Sequence, residues 1–148
     1  MCKRPCWGTP QEIQKIIDAG FGNRLMLDYW GNNKGEETFI IAPAENGKER
    51  LKASFIPRAG CVFQKNGLCE LHDLKLKPIE GRLADCKDEN YNEEPTVHEL
   101  VFQTWDTPEG KQVVDNWMET YQVKDEEFDP VDAFLGLLSL TAGRGRNG

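Results

Sequence analysis

Apolar and polar positions alternate along this chain in short stretches, which predicts many small elements rather than a few long ones. Thr9-Pro10-Gln11-Glu12 supplies a capping hydroxyl, a proline suited to the first helical turn and a glutamate three residues after the cap. Ile13, Ile16 and Ile17 then share one face and Gly20 or Gly22 offers a stop, so a helix is expected over about residues 10 to 19. Arg24 to Trp30 has mixed spacing that fits either a short helix or a strand. Glu37 to Ala42 reads as a strand, and Asn46-Gly47 is a turn signal before a second extended stretch near Leu51 to Ile56, which predicts a hairpin. The run from Cys61 to Leu71 repeats the pattern in miniature around Asn66-Gly67. A tight turn there is expected to aim the sulfurs of Cys61 and Cys69 at one point.

Further along, Thr96-Val97-His98-Glu99 is a second capping box, and Asp106-Thr107-Pro108 interrupts and restarts the helix that it opens. Val113, Val114, Trp117, Met118 and Tyr121 recur at helical spacing and read as core, as do the four tryptophans generally. Asp129-Pro130 opens a last apolar stretch through Leu140 that is expected to pack on its own domain. These elements predict an α+β fold, a small single domain over residues 1–142 with helices packed around a short β-hairpin region. A cysteine cluster occupies 1–90, an acidic helical part 91–142, and 143–148 is expected to be a flexible tail. A length of 148 residues with 39% hydrophobic side chains suits one such core.

Charge sharpens the division. The formal net charge is −7, but residues 88 to 132 hold fourteen acids and two bases, whereas residues 58 to 87 hold six bases and four acids. The acidic balance argues against a nucleic-acid partner, and no apolar run reaches the roughly 20 residues of a membrane span. A cytoplasmic location is expected. In a reducing compartment an odd count of five cysteines points to metal chemistry rather than a disulfide framework.

The candidate ligands are Cys2, Cys6, Cys61, Cys69 and Cys86, in the spacings Cys-x3-Cys, Cys-x7-Cys and a single later cysteine, with His72 as a substitute. Lys3, Arg4, Arg58, Lys65, Arg82 and Lys87 lie within four residues of a cysteine, and cations favour the thiolate form that metals bind. Structural zinc takes four thiolate or imidazole ligands and a four-iron cluster (4Fe-4S) usually four thiolates, so both remain open. Cys2 and Cys6 sit in an N-terminal arm that a metal would tie to the core. Such binding is worth about 10–16 kcal/mol in small peptides, against about 5–15 kcal/mol for a whole domain. Two further functions stay in view: a metal-dependent enzyme with an open coordination position, and an adaptor whose acidic helices bind a basic protein partner. A Cys69 nucleophile with His72 as base and Asp73 behind it lacks any oxyanion site legible in the sequence.

With these residues in view, the sequence resembles the YkgJ-like cysteine-cluster family of zinc- or iron-chelating proteins. The likeness lies in Cys2 and Cys6 just before the Thr9 to Glu12 helix start, and in Cys61-Val-Phe-Gln-Lys-Asn-Gly-Leu-Cys69-Glu-Leu-His72 followed by Cys86. It covers about the first 90 residues. Here the N-terminal cluster holds two cysteines where the family's is denser, and Lys75 to Gly81 lengthens the interval to Cys86. The resemblance implies metal chelation and no particular substrate; flagellin lysine N-methylases carry a related domain with an iron-sulfur cluster.

Overall fold

Thr9 caps helix α1 (Pro10–Ile16) as its neighbours signalled: Oγ1 accepts from the Glu12 N–H at 3.2 Å while Thr9 N donates to Glu12 Oε1 at 3.1 Å. The structure, a computed structural model, describes residues 5–31, 37–53, 59–83 and 97–125. Cys2, Cys86, the Thr96 cap, the apolar stretch 131–140 and the tail 143–148 lie outside the described residues. After α1 a single π turn (Ile17–Phe21) and a 3-10 turn (Gly22–Arg24) redirect the chain, with Gly20 at φ 95° absorbing the reversal.

The segment left open between helix and strand is β1 (Leu25–Gly31), which pairs antiparallel with β2 (Glu37–Pro43) from Leu25 opposite Pro43 to Gly31 opposite Glu37. The hairpin partner of 37–42 is therefore the preceding strand and not the described residues 51–53; residues 54–56 of the expected stretch lie outside the described residues. The Asn46-Gly47 turn does form, with Gly47 at φ 91° and Lys48 N donating to the Glu45 carbonyl at 2.9 Å. The chain then returns to the far edge of β1, where Leu27 N donates to Leu51 O at 2.9 Å and Ala53 N to Leu27 O at 2.8 Å. Burial explains the choice. Leu25 to Leu27 and Ile40 to Pro43 are continuous buried runs that need cover on both faces, whereas Leu51 is 52% exposed and suits an edge.

A second, smaller antiparallel pair joins β3 (Gln64–Lys65) to β4 (Leu68–Cys69) and runs directly into the one-turn helix α2 (Glu70–Asp73), then α3 (Ile79–Leu83). Helices α4 (Val97–Trp105) and α5 (Pro108–Tyr121) close the described part of the fold. Both rest on β2, and α5 also meets α1. Val113, Val114 and Trp117 are buried as their spacing predicted, with Met118 and Tyr121 packed against them from half-buried positions. The indole N–H of Trp105 donates to the Gly8 carbonyl at 2.7 Å and that of Trp117 to the Gly22 carbonyl at 2.8 Å. The fold is thus α+β, with five α-helices and two small antiparallel sheets among the described residues. No described helix is long and apolar enough to cross a membrane.

The α4–α5 corner depends on a missing side chain. Thr107 Oγ1 accepts from Gly110 N at 3.0 Å, and a Cβ on Gly110 would stand 2.5 Å from the Trp105 carbonyl oxygen and 2.6 Å from its Cα. Those are backbone atoms that cannot turn aside. Gly110→Ala is expected to destabilise the protein by about 1–3 kcal/mol or more in denaturant titration, despite the better helix propensity of alanine.

Candidate metal centre

The miniature hairpin forms around Asn66 and Gly67, both left-handed at φ 53° and 76°, the backbone that a two-residue turn of this type requires. Its register sets Cys69 opposite Gln64, so Cys61 is not its cross-strand partner. Cys61 instead opens the preceding turn, where Gln64 N donates to its carbonyl at 3.0 Å, and it bridges to Glu45 in an antiparallel pairing. Phe63 and Leu71, both essentially fully buried, root the hairpin and α2 in the core. Among the described cysteines no disulfide is formed.

Cys6 arrives from the opposite side on the N-terminal arm. The described residues of this arm have protein contacts of their own. The buried Trp7 ring donates from Nε1 to Asp28 Oδ2 at 2.9 Å and meets Trp30 edge-on at 5.4 Å between centroids, while its carbonyl accepts from Glu80 N at 3.1 Å. Glu12 adds a second stitch. Beyond capping α1, its Oε1 accepts from Ile79 N at 3.2 Å and its Oε2 pairs with Arg82 at 2.8 Å, so one carboxylate serves the starts of two helices. Where α3 passes the arm, a Cβ on Gly81 would lie 2.7 Å from Cys6 Sγ and 3.0 Å from Lys77 Cε. The sulfur and the lysine stem therefore sit within about 6 Å of each other, packed over a bare glycine.

These pieces enclose one cavity of about 280 Å³. Cys6, Cys61 and Cys69 all line it, together with His72, Asp73 and Lys77. Pro43, Leu71 and Pro78 give it buried apolar walls, and the exposed Leu68 stands at its edge. Cys61 is buried, Cys6 and Cys69 are half-buried, and His72 and Asp73 are exposed. Three soft sulfur donors with an imidazole nearby form a donor set suited to zinc or iron. Convergence is incomplete: among the described residues no group of three or more His, Cys, Asp or Glu side chains is gathered closely enough to hold a metal ion. The space is large beside the about 10–15 Å³ that a single water needs on the same measure.

Electrostatics fix the hairpin's edge. Glu70 accepts from Lys65 Nζ at 2.8 Å on one oxygen and pairs with Arg24 Nη1 at 2.8 Å on the other. The hydrogen bond from Lys65, then that from Arg24, hold its carboxyl below the ordinary glutamate range. Arg24, Lys77 and Gly81 were not singled out as site residues by the sequence. Compared with known proteins, the chain matches no family model, no curated protein and no solved structure.

Two outcomes are expected. Gly81→Ala should gain about 0.8–1 kcal/mol of helix propensity yet fail to stabilise, because the new methyl displaces Cys6; the alkylation rate of Cys6 should change, and an unaltered rate with higher stability would contradict the packing. Glu70 has a depressed folded-state pKa, so its contribution is present above the unfolded value and lost as pH falls through the folded one. The stability difference between wild type and Glu70→Gln should accordingly vanish in acid; a difference that persists there would count against these ion pairs.

Proposed function

We propose that this chain is a metal-binding protein that chelates one zinc ion or one iron-sulfur cluster through its cysteines, in a structural or redox role. Cys6, Cys61 and Cys69 are the central ligands in this reading, and Cys86, Cys2 or His72 completes the set. One observation carries it: three cysteines drawn from three separate chain segments line the same cavity. Thiols gathered only as core filler have no reason to share one solvent-reaching space with an imidazole. The likeness to the YkgJ-like cysteine-cluster proteins points the same way.

Bound zinc would supply a tetrahedral cross-link, and a bound cluster an electron store. The chain's own residues do the rest. The arm brings Cys6 to α3, the segment after β2 presents Cys61, and the β3–β4 hairpin carries Cys69. Pro43, Leu71 and Pro78 set apolar surface in the same cavity as the sulfurs.

Anaerobic purification followed by metal analysis and a visible spectrum tests the reading. Brown protein with iron and acid-labile sulfide identifies a cluster, and colourless protein with one zinc per chain identifies zinc. Neither metal at stoichiometric level overturns the proposal. Cys61→Ser and Cys69→Ser are each expected to lower metal content and melting temperature together, whereas an unchanged melting temperature would remove that residue from the ligand set.

A further inference from the structure

We propose that Arg24 is the positioning residue of the cysteine cavity, setting the segment of Cys61 against the segment of Cys69; the proposal rests on the metal-binding reading above. Its guanidinium reaches two places at once. Nη2 donates to the Val62 carbonyl at 2.9 Å and Nη1 to Glu70 Oε2 at 2.8 Å. Val62 directly follows Cys61, and Glu70 directly follows Cys69. One planar group with a fixed fork of donors therefore spans the residues next to both thiols.

The fork is itself held in place. Its central carbon stands 4.2 Å from the centroid of the Phe63 ring and 5.7 Å from that of Phe21, and the two rings meet edge-on at 5.9 Å. The Arg24 carbonyl accepts from Ala44 N at 3.0 Å, and the Ala44 carbonyl accepts from Val62 N at 2.9 Å, so main chain and side chain reach the Cys61 segment by separate routes. A positioning group has a task here because hairpin register does not set the distance between the thiols: Cys69 faces Gln64, not Cys61. Lysine cannot substitute, since a single ammonium on a flexible stem does not reproduce the fork.

The test compares wild type, Arg24→Ala and Arg24→Lys as full-length chains, with Co2+ as the metal probe. Both variants are expected to fold with a lowered metal-free melting temperature, since the Glu70 pair and the bond to the Val62 carbonyl are lost or weakened. Their Co2+ affinity, read from the thiolate-to-metal absorption, should fall about 10- to 100-fold, the usual range for a group that orients ligands. A second measurement does not need the metal. With Cys2, Cys6 and Cys86 changed to Ser, diamide oxidises Cys61 and Cys69 to a disulfide, taking up their two electrons and two protons. Closure should slow by a similar factor in both variants.

If wild type binds no Co2+ but closure slows in the variants, the metal reading fails and the role of Arg24 stands. Equal closure rates in all three chains overturn the proposal, as does wild-type behaviour of Arg24→Lys, which would leave charge alone as the requirement. A wild-type chain that neither binds Co2+ nor closes the disulfide also overturns it. Should Arg24→Ala not fold, Glu70→Ala removes the Cys69 side of the fork and must slow closure; an unchanged rate overturns the proposal.

Discussion

Two buried indole N–H groups hold the two ends of the described chain together. Trp105 and Trp117, at most 2% exposed, donate to the carbonyls of Gly8 and Gly22, partners 97 and 95 residues away in sequence. A buried donor left without an acceptor costs about 1–3 kcal/mol, so each bond fixes position as well as adding stability. Gly8 lies just before α1 and Gly22 just after the π turn that follows it. The acidic helices are thereby locked to both sides of the first helix, and the arm that carries Cys6 inherits its place from that seam.

From the seam outward, close approach rather than bulk apolar packing shapes the site. A Cβ on Gly8 would stand 2.9 Å from the Cβ of Pro78, and a Cβ on Gly81 would collide with Cys6. Two glycines thus let α3 and its leading proline lie flat against the arm. Glu12 then fastens the junction by accepting from the start of α3 and pairing with Arg82. The arrangement puts a sulfur at the mouth of a helix junction without any cross-link.

The cavity joins segments with very different sequence separations. Cys61 and Cys69 are eight residues apart, whereas Cys6 precedes Cys61 by 55. In the proposed site, a metal bonded to all three would close a long loop as well as a short one. Like a disulfide, it would then act partly by restricting the unfolded chain, and the longer loop would contribute more. Local electrostatics serve the same end: Lys65 and Arg24 bracket Glu70, so the edge carrying Cys69 is held by charge while Phe63 and Leu71 hold it by burial.

Local chemistry made several elements legible in the sequence. The capping box at Thr9 and Glu12, the Asn66-Gly67 turn and the Thr107-Pro108 helix start depend on neighbours within a few residues, and each appears as read; of the apolar stripe from Val113 to Tyr121, Val113, Val114 and Trp117 are buried and Met118 and Tyr121 half-buried. Strand pairing was not legible. β2 selected β1 over the stretch near Leu51 through burial on both faces, a property of the assembled layers. Nor could the sequence indicate that Glu12 serves two helices, that Gly81 yields space to Cys6, or that Arg24 spans the neighbours of two cysteines. Those contacts join residues from 38 to 75 positions apart, and only the folded chain, in which side-chain reach replaces sequence distance, brings them together.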